Sequence, residues 1–179
     1  FAFSLITDVI YEKMPYYAYS SLKKEQQKMM RERGWTKGSQ KVNRFLFRLV
    51  NRVQPDTIIE VGRPSSTTLY LQSAKPSASY LFASDLSELF LDADTSVDFL
   101  YLNDYRNPDL LEEVFRICAH RTTSKSVFVV HGICYSKEMK TLWKKLQTDE
   151  RVGITFDLYD LGLLFFDKTK IKQQYIVNF

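Results

Sequence analysis

Ile58-Ile59-Glu60-Val61-Gly62-Arg63-Pro64-Ser65-Ser66-Thr67-Thr68-Leu69-Tyr70-Leu71 is the stretch on which the fold turns. Residues 57–61 are a short apolar run of the kind that forms a buried strand. Gly62 ends that run, and a helix is expected from about residue 65 to residue 73, opened by residues of capping type. A strand, a glycine turn and a helix make the first half of a βαβ unit.

Downstream, the same alternation continues. Residues 80–83 predict a second strand closed by Asp85, residues 97–102 a third, and residues 126–130 a fourth. Leu110, Leu111, Val114, Phe115 and Cys118 line one side of a helix over 109–119. Met139, Leu142, Trp143 and Leu146 stand in helical register after the fourth strand. Residues 152–158 and 162–166 read as a β-hairpin, and residues 175–179 as a further extended segment. Parallel βαβ units with right-handed crossovers follow, and the hairpin adds an antiparallel element. The expected fold is α/β, a Rossmann-like, mostly parallel sheet with a C-terminal antiparallel hairpin. Ligands of such sheets bind beyond the carboxyl ends of the strands, which directs attention to Gly62, Asp85, Asn103 and His131.

Upstream, residues 20–33 predict a helix that is polar nearly all round and stopped by Gly34. Ser39 is placed to cap a second helix, in which Val42, Phe45, Leu46, Leu49, Val50 and Val53 share a buried face. Lys41, Arg44, Arg48 and Arg52 share the opposite face. Residues 23–52 hold ten Lys or Arg against Glu25 and Glu32, whereas residues 53–179 hold 14 bases and 17 acids. Such a basic arm suits an anionic partner such as nucleic acid. The favoured reading is the solvated face of an amphipathic helix. Tyr16, Tyr17, Tyr19 and Trp35 are expected to pack this N-terminal segment rather than to stack on a ligand. One domain is expected over residues 1–179, with an N-terminal helical arm at 1–37 and the Rossmann-like core at 38–179.

Composition sets the outer bounds. With 45% hydrophobic and 26% charged residues and 15% aromatics, the 179-residue chain is of globular type. Cys118 and Cys134 are too few for a disulfide framework and form no CxxC metal pattern. No apolar run approaches the roughly 20 residues that span a bilayer. The opening FAFSLITDVIYEK carries Asp8 and has no basic start, so it does not read as a signal peptide. The expected compartment is the cytoplasm, without a membrane partner.

The stretch from Ile58 to Leu71 resembles the first motif of class I S-adenosylmethionine (SAM) methyltransferases, commonly E-x-G-x-G-x-G followed by Ser or Thr. Val97-Asp98-Phe99-Leu100-Tyr101-Leu102-Asn103-Asp104 is similar to that family's fourth strand, commonly VDxxFIDG. Val129-Val130-His131-Gly132-Ile133-Cys134-Tyr135-Ser136-Lys137-Glu138-Met139 resembles a fifth-strand segment that in relatives reads like DDIHWSxEM. Residues 157–166 resemble the closing hairpin of a methyltransferase-like group. The resemblance covers residues 38–179. It implies SAM as cofactor, held through Glu60, Gly62, Ser66, Thr67 and Asp85, with Asp85 on the ribose hydroxyls. It also implies a small-molecule acceptor near the catalytic candidates Asn103 and His131.

Several positions depart from the pattern. Pro64 and Ser66 stand where the family has its second and third glycines, and proline has no N–H and a fixed φ. Asn103 and His131-Gly132 replace acids that in catechol-type O-methyltransferases hold a divalent metal. That donor set suits Mg²⁺ poorly, so no metal is expected. Only 11 residues separate Asp85 from Val97, too few for a crossover, which predicts the loss of one edge strand and its helix. Phe82, Leu89, Phe90 and Leu91 are then available to fill the gap.

Each residue also has a plainer role open to it. Gly62 suits any β–α turn, Asp85 an N-cap, Ser65 to Thr68 helix caps, Glu60 an ion pair with an arginine, and His131 a structural position. Two functions remain: an O-methyltransferase-like SAM enzyme, working or inactive, and a non-catalytic binding or scaffold protein on the same fold. A homo-oligomer is compatible with both.

Overall fold

A computed structural model of the chain describes residues 1–13 and 16–179. Met14 and Pro15, which fall in the expected N-terminal arm, lie outside the described residues. The chain forms two compact units, Phe1–Gln54 with Pro64–Ala78, and Pro55–Arg63 with Ser79–Phe179.

The first unit is helical. Helix α1 (Ala2–Leu5) runs into a π-helical turn at Ile6–Ile10, followed by α2 (Ala18–Arg33), α3 (Gln40–Val53) and α4 (Thr67–Ala74). Gly34 closes α2 at φ 63°, the left-handed conformation that glycine adopts without steric cost. The Ser39 hydroxyl caps α3 by accepting from the Val42 amide. The predicted apolar face of α3 is buried, with Phe45, Leu46, Leu49 and Val50 fully inaccessible.

The basic stripe of α3 holds the chain's first residues in place. Arg48 is buried and donates to the Val9 and Ile10 carbonyls at 2.7 and 3.4 Å. Arg52 donates to the Ser4 hydroxyl, and the Arg44 guanidinium lies 4.9 Å from the centre of the Tyr19 ring. Tyr16, Tyr19 and Phe47 pack edge to face around them, while Tyr17 is exposed. The sequence pattern assigned this stripe to solvent, and Lys41, Arg44 and Arg52 are exposed; Arg48 departs from it, because nothing in the pattern marks residues 2–10 as its partner.

The second unit contains a seven-stranded sheet of order β2-β1-β3-β4-β6-β5-β7. Its strands are β1 (Thr57–Gly62), β2 (Ser79–Ala83), β3 (Phe99–Asn103), β4 (Val127–His131), β5 (Ile154–Asp157), β6 (Leu161–Phe165) and β7 (Gln173–Ile176). β2, β1, β3 and β4 are parallel, β6 is antiparallel to both β4 and β5, and β7 runs parallel to β5. Alternate residues Ile59, Val61, Leu100, Leu102, Phe128 and Val130 enter one core with α5 (Pro108–Ala119) and α6 (Lys137–Thr148). Ile58, Phe99, Tyr101 and Val129 point to the other face and are also fully buried.

Between β2 and β3 the chain forms only a 3₁₀ turn, Leu86–Glu88, so β2 is an edge of the sheet, as the short spacing predicts. Leu81, Leu89 and Leu91 pack against the core. Phe90 does not fill the gap: it is 79% exposed, because the short loop turns its side chain outward.

Candidate ligand site at the strand ends

The carboxyl ends of β1, β3 and β4 bring Gly62, Asn103 and His131 together. Gly62 pairs with Asn103 in register, at φ 149°. A Cβ at Gly62 would lie 2.7 Å from the Asn103 carbonyl oxygen, so only glycine lets the two strand ends approach this closely. Glu60, two residues earlier and fully buried, accepts a hydrogen bond from the Tyr80 hydroxyl of β2. One partner of Glu60 is therefore a tyrosine of the neighbouring strand.

His131 is tied into a polar network. Its Nδ1 lies 2.8 Å from Asn103 Oδ1 and 2.9 Å from the Tyr101 hydroxyl. Only a ring with hydrogen on both nitrogens donates at once to Asn103 Oδ1 and to a carboxylate at Nε2. Asp160 Oδ2 stands 3.6 Å from Nε2. That contact holds the Asp160 carboxyl below the usual carboxylate range. Burial, and next the charge of Glu60, push the Tyr101 hydroxyl well above the usual tyrosine range, so it stays protonated.

His131 and Asp160 of this network line a cavity of about 430 Å³, with Tyr105, Gly132, Cys134, Tyr135, Lys140 and Tyr159 around it; Asn103 and Tyr101 stand behind His131. Gly132, at φ 71°, allows the Tyr105 ring to lie against the backbone, where a Cβ would meet the ring at 2.6 Å. Tyr105 in turn packs against Tyr135 at a tilt of 52°, with ring centres 4.6 Å apart. Tyr159 holds a left-handed backbone at φ 74° and is 75% exposed at the rim. Aromatic walls, one ammonium, one carboxylate and one imidazole suit a small polar ligand with a flat face. His131 can take a proton at Nε2, with Asp160 stabilising the imidazolium. Sequence reasoning found Asn103 and His131 and missed Tyr101, Lys140 and Asp160. Tyr101 and Asp160 join them only through the adjacency of the β3, β4 and β6 ends, and Lys140 comes from the first turn of α6.

The other candidate residues are occupied differently. Ser66 is fully buried, and its hydroxyl accepts from the Gly38 amide at 3.0 Å and the Asn43 side-chain amide at 3.3 Å. It precedes α4 without capping it through its side chain. The Thr67 hydroxyl donates to Asn43 Oδ1 at 2.7 Å. The Ser66 amide donates to the Thr36 carbonyl, and the Thr67 and Thr68 amides both donate to Ser65. Asp85 caps the 3₁₀ turn by accepting from the Ser87 amide and hydroxyl, which hold its carboxyl below the usual range. It also edges a shallow depression shared with Asp109 and Glu113.

A SAM molecule needs free N–H donors for its amino-acid carboxylate and a glycine gap for its backbone approach. After β1 the Ser66, Thr67 and Thr68 amides are engaged within the chain, Pro64 has none, and the Ser66 and Thr67 hydroxyls face Gly38 and Asn43. These residues therefore do not fit the amino-acid end of SAM. Among the described residues no three His, Cys, Asp or Glu side chains gather as metal ligands. No helix among them is long and apolar enough to cross a membrane.

No protein-family model matches the chain, and no curated protein matches it. Solved structures do. The chain is similar to the O-methyltransferase TomG of Streptomyces achromogenes, involved in tomaymycin synthesis and solved in complex with SAM. The match has 15% identity, 89% coverage of this chain, 95% of that chain and a TM-score of 0.65. An O-methyltransferase of Bacillus cereus in complex with S-adenosylhomocysteine (SAH) matches at 13% identity over 90% of this chain and 96% of that chain, with a TM-score of 0.60. The SAH-bound methyltransferase PaMTH1 of Podospora anserina matches at 8% identity, 92% of both chains and a TM-score of 0.60. At these identities the likeness concerns the fold: the chain has the Rossmann-like fold of class I SAM-dependent O-methyltransferases.

Proposed function

We propose that this chain is a methyltransferase-fold binding protein that takes a small ligand in the cavity beside His131 and no longer transfers methyl groups. The observation that carries this reading is the engagement of Ser66. Its hydroxyl and amide, together with the amides of Thr67 and Thr68, hold the neighbouring backbone and Asn43 instead of a cofactor. His131 then serves as a ligand-contacting residue of the cavity, and Asn103 positions it through Nδ1. Fold alone carries no activity with it.

A second reading, O-methyl transfer to a small acceptor, draws on the His131–Asp160 pair. An imidazole backed by a carboxylate at a cavity wall is able to receive a proton from an acceptor hydroxyl.

Amide chemical-shift mapping with a fragment set and with SAH separates the two. The binding reading expects fragment shifts at Tyr105, Gly132 and Lys140, with SAH leaving Gly62 and Asp85 unmoved. Saturable SAH shifts at Gly62 and Asp85 would favour the enzyme. Fragments that never perturb the His131 cavity would remove the ligand site from both readings.

A further inference from the structure

Helix α2 has two faces of different chemistry. Tyr19, Leu22 and Gln26 are buried. Ser20, Lys23, Lys24, Gln27, Lys28 and Arg31 are exposed and follow the spacing i, i+3, i+4, i+7, i+8, i+11, which puts them on one face. Four cations and two neutral hydrogen-bonding side chains make up that face, with no acid within it. Glu25 and Glu32 stand at one border, and neither pairs with a member of the face. Among the described residues, the side chains of Lys23, Lys24 and Lys28 make no ion pair or hydrogen bond, and Arg31 touches only the Gln27 carbonyl of its own helix. Arg44 of α3 extends the face sideways, because its guanidinium lies over the ring of Tyr19, one turn before Lys23. Like charges one turn apart, Lys24 with Lys28 and Lys28 with Arg31, weaken a helix. In α5, by contrast, exposed Arg116 has Glu113 one turn away at 2.7 Å. The whole helical unit carries the same sign: twelve Lys and Arg stand against Asp8, Glu12, Glu25 and Glu32, whereas the sheet unit has thirteen bases and seventeen acids.

We infer that this face of α2, with Arg44, binds the phosphodiester backbone of a nucleic acid strand. Ammonium and guanidinium groups, a serine hydroxyl and a glutamine amide are the side chains that take up phosphate oxygens. From Lys23 to Arg31 the helix rises about 12 Å, so the charges face several consecutive phosphates, which follow one another at roughly 3.4 Å along a duplex strand. An anionic membrane attracts the same charges, but a helix lying on a bilayer buries an apolar face in it. Here Tyr19 and Leu22 are turned into the helical unit, and the outward face has no apolar side chain to insert. Contacts to phosphates carry no base preference, so the binding is independent of sequence. It is also independent of the ligand assigned to the His131 cavity.

Fluorescence anisotropy tests this with labelled single strands of about 20 nucleotides, RNA and DNA of mixed sequence and oligo-uridine, at about 50 mM KCl. Saturable binding with similar Kd for all three is expected. It should weaken with salt at a log–log slope of about 3, from roughly 0.7 for each neutralised phosphate of a single strand. Lys24→Glu with Lys28→Glu should weaken binding by about tenfold or more and lower the slope by about 1 or more. Lys144→Glu with Lys168→Glu, the same charge change at exposed positions of the sheet unit, should leave Kd unchanged. Circular dichroism reports whether each variant is folded. If the α2 glutamate pair fails to fold, Lys24→Gln with Lys28→Gln decides, again by loss of affinity and slope. No binding by about 100 µM protein at this salt overturns the inference, as does equal weakening by the two charge-reversal pairs. Binding to vesicles of phosphatidylcholine and phosphatidylserine in preference to every strand overturns it in favour of a membrane.

Discussion

The Ser66 hydroxyl accepts from the Gly38 amide at 3.0 Å, at the position where the methyltransferase pattern has its third glycine. A side chain has entered the space that the pattern keeps clear, and the segment before α3 closes on it. Asn43, also fully buried, ties the same hydroxyl to Thr67. Ser66→Ala leaves two donors without an acceptor and should lower stability by about 1–3 kcal/mol, read as a shift of the urea midpoint. Ser66→Gly should destabilise at least as much. An unchanged midpoint in both would mean that the hydroxyl is not structural.

Gly62→Ala places a methyl group 2.7 Å from the Asn103 carbonyl oxygen, on a backbone at φ 149°. Neither strand end can yield without breaking the β1–β3 pairing. A loss of about 2–4 kcal/mol is expected by thermal denaturation. The effect should be the same with or without SAM, since it arises between two strands.

Much of this was legible in the sequence and some was not. The strand–helix alternation and the antiparallel hairpin follow from apolar runs, and the missing edge strand from the 11 residues between Asp85 and Val97, whereas the strand order emerges only in the fold. The caps at Ser39 and Asp85 are local, and local chemistry determines them. Arg48 was not legible, because its partners are backbone carbonyls 38 and 39 residues away. The Tyr101–His131–Asp160 network was hidden for the same reason, since it exists only once β3, β4 and β6 lie side by side. Ser66 is the instructive case. Its position in a motif suggested a ligand, whereas its burial assigns its hydroxyl to Gly38 and Asn43.

Tyr159 has a left-handed backbone and an exposed ring, so the fold gains little from it. Tyr159→Gly removes the conformational cost and should raise stability by about 1 kcal/mol. It also removes one wall of the His131 cavity. Any fragment bound there should lose affinity, so the melting temperature rises as binding weakens. Lower stability on this change would contradict the assignment.

The Asp149 carboxylate accepts from the Arg151 guanidinium at 2.7 and 2.9 Å, and this pairing depresses its folded-state pKa. A depressed carboxyl stabilises the fold above its unfolded value near 3.8 and loses that contribution as the pH falls through the lower folded value. Asp149→Asn should therefore cost about 1 kcal/mol at neutral pH. In strong acid the variant and the parent should converge. The check is a pair of urea titrations, one near neutrality and one below the folded value.

The most direct measurement is calorimetric titration of the whole chain with SAM and with SAH up to millimolar concentration, paired with thermal denaturation under the same conditions. The closed turn after β1 predicts no saturable heat and no shift of the melting temperature with either compound. A saturable isotherm accompanied by stabilisation, and abolished by Asp85→Ala, would show that the cofactor site is intact and would contradict the account.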